Sequence, residues 1–204
     1  MTLMNNLFYC STITAMATNL QFTLALSNNL VFGTTVKLPQ PSNTVCYAFN
    51  NDFDTCTITN STLTNGYNAY LNCSGRLEPT NVFDIVSTNS LAYQSGPLGN
   101  FYQPTNSPLI HAGSTTADQV GLYHYTVTTN QVVESTNTVS IGYHYVAVDA
   151  NGNPLDSNGN GIPDYLEDAN GNGLVDSGEI GWNIVGDLGL KVLITQPRNN
   201  SVIP

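Results

Sequence analysis

Asn28-Asn29-Leu30-Val31-Phe32 occurs in three related copies along the chain, the other two being Asn5-Asn6-Leu7-Phe8-Tyr9 and Asn50-Asn51-Asp52-Phe53-Asp54. The copies lie 23 and 22 residues apart. A threonine followed by a β-branched residue comes after each copy, at Thr12-Ile13, Thr35-Val36 and Thr57-Ile58. Short alternating apolar segments separated by Asn, Gly and Pro are typical of β-strands. The sequence therefore predicts a repeat built from short strands.

A repeat of about 22 residues without a helix predicts one coil of a parallel β-helix, in which coils stack about 4.8 Å apart. A further step of 22 residues predicts a single register that contains Asn5, Asn28, Asn50 and Asn72. Asparagines at one position of every coil can hydrogen-bond along the stack. The alternative is a β-sandwich whose strands repeat by accident.

The repeat resembles the right-handed parallel β-helix family of secreted bacterial proteins over residues 1–103. Residues 104–148 carry a second pattern, in which Gly121-Leu122-Tyr123-His124-Tyr125 is echoed by Gly142-Tyr143-His144-Tyr145. The motif Ser107-Pro108-Leu109-Ile110-His111-Ala112-Gly113, followed by Gly-Tyr-His-Tyr, resembles the segment that ends many bacterial surface β-helices. The resemblance implies an all-β fold with a C-terminal β cap, which would cover the unpaired backbone groups of the last coil. The flanking alternation predicts that His124 and His144 are strand residues and not metal or acid–base groups.

The four cysteines have spacings that match no zinc or redox motif. Cys10 and Cys46 align with no other cysteine in the predicted register. That register places Cys56 opposite Ser11 and Thr34, and Cys73 opposite Asn29 and Asn51. A disulfide pair is an alternative, but the register favours thiols that act as small apolar groups.

Two abutting twelve-residue segments, 156–167 and 168–179, have oxygen side chains at positions 1, 3, 5, 9 and 12 and glycine at position 6. This is the ligand spacing of a calcium loop, in which position 7 adds a backbone carbonyl and position 12 can bind through both oxygens. An incomplete third loop is formed by Asp149, Asn151 and Asn153. The alternative is that Asn, Asp and Gly simply satisfy local turns.

Residues 149–179 leave no room for a helix on both sides of each loop, and they resemble thrombospondin type 3 repeats and dockerin-like loops. The resemblance implies two ligand sets. The first set is Asp156, Asn158, Asn160, the Ile162 carbonyl, Asp164 and Glu167. The second set is Asp168, Asn170, Asn172, the Leu174 carbonyl, Asp176 and Glu179. Asparagine at positions 3 and 5 reduces the ligand charge, which predicts weak sites of about 10⁻⁴–10⁻³ M and a structural role for Ca²⁺. Without the ion we expect this segment to be disordered.

The chain has 204 residues, a formal net charge of −10 and four basic residues, and eight of its 14 acidic residues lie within 149–187. So few cations argue against a nucleic-acid partner. No segment is long and apolar enough to insert into a membrane. Residues 149–182 are expected to be the calcium segment. Residues 183–204 resemble a linker and the opening strand of a following immunoglobulin-like module.

These features predict a calcium-binding structural or adhesive segment of a secreted or cell-surface multidomain bacterial protein, whose partner is a polysaccharide or another surface protein. One alternative is the C-terminal part of a β-helix polysaccharide lyase or glycoside hydrolase. Its catalytic candidates are Asp52 and Asp54, which lie two residues apart and therefore on one face of a strand. A second alternative is a dockerin-like module that binds a partner protein.

Overall fold

A computed structural model describes residues 1–14, 22–38, 44–60 and 62–189. Within these ranges nearly all the regular structure is β, which confirms the predicted all-β class. The helical elements are a 3₁₀ turn at Asp118–Val120 and a four-residue α-helix, α1, at Asp164–Glu167. No helix in the same ranges has the length and hydropathy that a bilayer span requires.

The strands are short. In chain order they are β1 Thr2–Met4, β2 Leu7–Tyr9, β3 Thr12–Thr14, β4 Phe22–Ser27, β5 Leu30–Phe32, β6 Thr35–Leu38, β7 Thr44–Phe49, β8 Asp52–Asp54, β9 Thr57–Asn60, β10 Thr64–Gly66, β11 Ala69–Leu71, β12 Ile85–Ser87, β13 Gln94–Gly96, β14 Gly99–Tyr102, β15 Tyr125–Thr126 and β16 Tyr145–Val146.

The first twelve strands form three parallel sheets, with the orders β1-β4-β7-β10, β2-β5-β8-β11-β12 and β3-β6-β9. Each of the first three passes of the chain contributes one strand to each sheet and stacks on the previous pass. The fourth pass contributes β10 and β11 and reaches the third sheet through an isolated bridge between Ser74 and Thr57, and β12 ends the second sheet. This arrangement is compatible with a β-helix-like fold. We call residues 1–87 the coil stack and number its coils from the N-terminal end.

Each coil turns two corners at residues with a left-handed backbone. The first corner is at Asn5, Asn28, Asn50 and Tyr67, with φ between 52° and 58°. The second corner is at Cys10, Gly33, Thr55 and Asn72, with φ between 46° and 60°. Asparagine tolerates this conformation better than most residues with a side chain, because its short polar side chain can hydrogen-bond locally. The repeated Asn-Asn pairs therefore mark corners as well as strand starts.

The asparagine ladder is formed by the second residue of each pair. The backbone N–H of Asn6 donates to Oδ1 of Asn29, Asn29 donates to Asn51, and Asn51 donates to Asn68, at 2.9, 3.2 and 3.0 Å. The N–H of Asn68 donates to Asp84, where the ladder ends. Each side chain thus connects neighbouring coils. The prediction that Asn5, Asn28 and Asn50 form this ladder was wrong by one residue, because these asparagines turn the corner.

The prediction that Asn72 continues the register of Asn50 was wrong. The repeat is 23 and then 22 residues in the first coils, but it falls to 17 at the fourth coil. Asn72 consequently follows Leu71, the partner of Asp54, and lies at the second corner. The fourth coil is shorter because β10 has three residues where β7 has six, and because the connection before β10 has three residues where that before β7 has five. The pairing of strands fixes their register but leaves the length of these connections free.

The interior of the coil stack is apolar, because each sheet turns one face inward. Phe53 and Tyr70 stack within it at a ring distance of 5.4 Å. Burial of such side chains is the main favourable contribution to folding. The buried cluster consists of Leu24, Leu26, Val31, Val36, Leu38, Cys46, Ala48, Phe53, Cys56, Ile58, Leu63, Tyr70 and Leu77.

Residues 88–148, which we call the flanking segment, cover the outer face of the second sheet. Leu109 and Ile141 pack there against Ala69 and Leu71. The side chains of the three corner asparagines also bond to this segment. Their partners are His144 for Asn5, Ser140 for Asn28 and Ser114 for Asn50, at 2.7, 3.3 and 2.8 Å.

The expected cap over the end of the coil stack is therefore a layer along its side. Contacts of the flanking segment run from the first coil to the fourth, as hydrogen bonds at the corner asparagines and as apolar contacts at Ala69 and Leu71. Parallel pairing of strands ends at β12, apart from an isolated bridge between Gln103 and Thr128, and β13 and β14 form an antiparallel hairpin. The antiparallel pair β15 and β16 begins directly after His124 and His144. Of the predicted final strand, residues 190–204 lie outside the described residues, and 183–189 contain no strand.

Candidate metal centre

The first twelve-residue loop is organised around the carboxylate of Asp156. Its two oxygens accept backbone N–H groups from Gly159, Asn160 and Gly161, at 2.8, 3.2 and 2.8 Å. Asn158 accepts from the N–H of Asn160 at 2.9 Å. These bonds fold residues 156–161 into a tight loop around the side chain of position 1.

The helix α1 brings two more carboxylates to this loop. Asp164 accepts from the N–H and hydroxyl of Ser157 at 2.7 and 2.6 Å. Glu167 accepts from the amides of Asn158 and Asn160 at 3.2 and 2.6 Å. Positions 1, 3, 5, 9 and 12 of the predicted ligand set are therefore brought together.

One oxygen each of Asp156, Asp164 and Glu167 lies within 4.8 Å of the others. Asp164 and Glu167 are each only 2% exposed. Among the described residues, no Lys or Arg forms an ion pair with Asp156, Asp164 or Glu167. Burying adjacent carboxylates without a cation costs free energy, and amide donors compensate only part of it. The first loop therefore has the charge and the oxygen atoms for a hard cation.

The second loop repeats the backbone bonds to position 1, but its two amides donate to position 9 and not to position 12. Asp168 accepts from the N–H groups of Asn172 and Gly173, at 3.2 and 2.6 Å. The amides of Asn170 and Asn172 donate to Asp176 at 2.8 and 2.9 Å. These two bonds lower the pKa of Asp176, so this carboxyl is ionised at neutral pH.

The second loop is more open at its closing residue. Glu179 accepts from the N–H of Asp176 at 2.9 Å and from that of Asn170 at 3.4 Å. Asp168, Asp176 and Glu179 do not converge within the 4.8 Å found in the first loop. The position-7 residues match in both loops, since Ile162 and Leu174 each donate N–H to the position-5 amide oxygen, at 2.7 and 2.8 Å.

The incomplete third loop has the start of the same turn. Asp149 accepts the N–H groups of Asn151 and Asn153 at 2.8 and 2.9 Å. Its pKa is lowered by hydrogen bonds, the largest effect being that of Asn153. Asp149 and Asp156 line one pocket of about 460 Å³. The pocket is lined by residues of the third loop and by Gly161 and Pro163 of the first loop.

The calcium segment packs on the flanking segment, a relationship that the sequence did not predict. Nε2 of His124 lies 2.9 Å from Oδ2 of Asp168, and both residues are buried. The N–H of Tyr123 donates to the carbonyl of Gly171 at 3.1 Å. The ring of Trp182 packs on His124 at 4.7 Å. The prediction that His124 and His144 are strand residues was wrong, because each lies directly before a strand. The alternation around His124 also held no signal for a partner 44 residues away.

The catalytic candidates Asp52 and Asp54 do share one face of β8, as predicted, but that face is covered by the flanking segment. They are 1% and 0% exposed. Asp52 accepts from the hydroxyl of Tyr93 at 2.7 Å, and Asp54 accepts from Ser90 and from the N–H of Leu91 at 2.8 and 3.0 Å. These contacts fasten the flanking segment to the third coil and leave neither carboxylate open to a substrate.

The chain matches no known protein family, no curated protein and no solved structure.

Proposed function

We propose that this chain is a calcium-binding structural segment in which Ca²⁺ occupies the loops 156–167 and 168–179. The proposal also includes the fold, a right-handed parallel β-helix with coils of about 22 residues, followed by loops like those of thrombospondin type 3 repeats. The observation that carries it is the convergence of Asp156, Asp164 and Glu167 within 4.8 Å, two of them buried, without a Lys or Arg partner in the described residues.

The chemistry of the donors supports Ca²⁺ over softer metals. The candidate ligands are carboxylate, amide and carbonyl oxygens, and neither loop contains a histidine or cysteine. Oxygen donors in a flexible loop suit Ca²⁺, whereas imidazole and thiolate select zinc or copper. Each complete loop has three carboxylates, which supports an affinity of about 10⁻⁴–10⁻³ M. Such sites are filled at extracellular calcium concentrations, so we place the protein outside the cell or on its surface.

The role of the ion is structural. Asp168 is at once the first ligand of the second loop and the hydrogen-bond partner of His124 in the flanking segment. An ion bound there fixes the calcium segment to the flanking layer, which in turn is bonded to the first three coils. Calcium thus makes the coil stack and the segment that follows it one rigid unit. We propose that this unit supports adhesion to a polysaccharide or to another surface protein.

Calorimetric titration of the metal-free protein with CaCl₂ tests the proposal. We expect two ions per chain. Glu167→Gln removes one closing carboxylate and should reduce the stoichiometry to one, and Glu179→Gln should do the same for the other loop. Glu78→Gln, at an exposed residue of the coil stack, is the matched control and should retain both ions. Absence of heat at millimolar CaCl₂, or equal binding by all three variants, would contradict the proposal.

A further inference from the structure

Two of the four cysteines are neighbours in adjacent coils. Leu71 pairs with Asp54, and Ser74 bridges to Thr57, so Cys73 lies directly opposite Cys56. The N–H of Cys56 donates to Sγ of Cys73 at 3.4 Å. The shortening of the fourth coil to 17 residues creates this pairing. The 22-residue register predicted from the sequence places Cys73 opposite Asn29 and Asn51. The prediction that no two cysteines stack is therefore wrong for this pair.

The pair occupies a position that carries a hydroxyl in the first two coils. Ser11 and Thr34 precede Cys56 in the stack, and the N–H of Ser11 donates to Oγ1 of Thr34 at 3.4 Å. The two thiols therefore continue a side-chain ladder at the second corner. Serine is compatible with this position, since it stands there in the first coil.

We propose that Cys56 and Cys73 form a disulfide that links the third coil to the fourth when the protein meets a small disulfide oxidant such as oxidised glutathione. Neighbouring strands lie about 4.8 Å apart. A disulfide needs Cα atoms about 4.4–6.8 Å apart. The register thus provides the required spacing, and rotation about the side-chain bonds can bring the sulfurs together.

The surroundings differ enough to give the two thiols separate roles. Cys56 is buried, whereas Cys73 is half-buried and lines an open pocket of about 400 Å³ together with Arg76. Hydrogen bonding from Cys56 lowers the pKa of Cys73, and the pKa of Cys56 is raised by its bond to Cys73 and by burial. Cys73 is therefore the thiol that an oxidant reaches, and the guanidinium beside it attracts the carboxylates of glutathione.

The exchange is balanced in two steps. The Cys73 thiolate attacks one sulfur of the oxidant, which forms a mixed disulfide and releases one glutathione thiolate. Cys56 then loses its proton and attacks Sγ of Cys73, which releases the second glutathione thiolate. The two protein thiols lose two electrons and two protons, and one molecule of oxidised glutathione becomes two molecules of reduced glutathione.

Peptide mapping of the full chain tests the inference. The reduced protein is equilibrated with mixtures of reduced and oxidised glutathione, remaining thiols are alkylated, and the denatured protein is cut with chymotrypsin. Cleavage at Phe49, Phe53 and Tyr70 separates Cys46, Cys56 and Cys73 onto different peptides. We expect two alkylated cysteines, Cys10 and Cys46, and one cross-link between the peptides of Cys56 and Cys73. The linked protein should melt about 5–10 °C higher than the reduced protein.

Variants distinguish the roles of the two thiols. Cys56→Ser should stop the reaction at the first step and leave glutathione attached to Cys73. Cys73→Ser should leave Cys56 as a thiol, and Cys10→Ser, the matched control at the second corner, should cross-link like the unmodified chain. The proposal is overturned if four thiols persist in pure oxidised glutathione, if the cross-link contains Cys10 or Cys46, or if oxidation leaves the melting temperature unchanged.

Discussion

Nε2 of His124 and Oδ2 of Asp168 are hydrogen-bonded at 2.9 Å in a buried contact between the flanking segment and the second loop. Asp168 is the first predicted ligand of that loop, so the imidazole orients a candidate metal ligand from outside the loop. Histidine–carboxylate contacts of this kind fix ligand geometry and tune affinity at metal sites. The contact makes the calcium segment part of the folded body of the protein.

Removal of this contact should weaken one calcium site. We expect His124→Gln to reduce the calcium affinity of the second loop by about 10- to 100-fold, because Asp168 loses a partner that orients it. The affinity of the first loop should change little. Calorimetric titration measures both sites, and His111→Gln, at an exposed histidine of the flanking segment, is the control. Equal loss of affinity in the two variants would show that the contact with Asp168 is not what matters.

The packing of the second loop can be tested at one pair of glycines. Gly171 and Gly159 occupy position 4 of their loops and have similar φ, 68° and 73°. A methyl group at Gly171 would collide with the carbonyl oxygen of Gly121, whereas nothing lies within 4 Å at Gly159. Both alanine variants have the same backbone strain, so Gly171→Ala should cost about 1–3 kcal/mol more.

Urea unfolding measures that difference, and Trp182, the one tryptophan of the chain, reports whether the loop is still packed. Its emission should shift to the red in Gly171→Ala and stay unchanged in Gly159→Ala. Identical stability and emission of the two variants would contradict the packing.

The asparagine ladder should contribute to the stability of the coil stack in addition to its apolar interior. The buried amide of Asn51 donates to the carbonyls of Leu26 and Phe49 and to Oδ1 of Asn68, and its oxygen accepts from Asn29. Asn51→Ala leaves these buried groups unsatisfied, so we expect a loss of about 2–4 kcal/mol in the free energy of unfolding. Chemical denaturation measures this loss, and Asn89→Ala, a change at an exposed position, is the control. A loss below about 1 kcal/mol would show that the ladder contributes little.

Asp52 should make the stability depend on pH. Burial raises its pKa well above 3.8, and Tyr93 only partly opposes this effect. A carboxyl with a higher pKa in the folded than in the unfolded protein destabilises the fold progressively as the pH rises above the unfolded value. Asp52→Asn removes that charge, so the variant should be at least about 1 kcal/mol more stable than the parent at pH 7.5.

The advantage of Asp52→Asn should shrink as the pH falls towards 3.8, the ordinary pKa of the carboxyl, because below that pH the carboxyl is protonated in the folded and in the unfolded protein. Urea unfolding between pH 4 and 8 measures the difference in unfolding free energy between the variant and the parent, with Glu78→Gln as the exposed control. A variant that is less stable than the parent throughout this range would show that Asp52 is charged and favourably held in the fold.

Chelation should loosen one part of the molecule. We expect EGTA to speed amide exchange in residues 149–182, because the carboxylates of the loops lose their cation, and renewed Ca²⁺ to reverse the change. Strands β5, β8 and β11 should keep their protection, because their hydrogen bonds do not involve the loops. Hydrogen exchange read by mass spectrometry separates the two regions. Unchanged protection in the loops would show that the ion does not hold them.

Local chemistry made some features predictable. A left-handed backbone conformation at the corners favours asparagine. The pairs at Asn5-Asn6, Asn28-Asn29 and Asn50-Asn51 could therefore be recognised as a repeat from the sequence alone. The loop bonds around Asp156 and Asp168 link residues at most five positions apart, so their spacing was readable as well. Which ion binds remains a prediction for both loops.

The sequence by itself determined the all-β class, the period of the first coils and the position of the loops, since each depends on backbone preferences and contacts between near neighbours. Only the tertiary structure decided that the fourth coil is short, that Cys73 meets Cys56, that Asp52 is covered, and that His124 holds Asp168. The lengths of the connections between strands are not restricted by the stacking. A change of a few residues in a connection changes which side chains of neighbouring coils lie opposite each other. Local sequence patterns do not reveal these contacts, because the partners are far apart in the sequence.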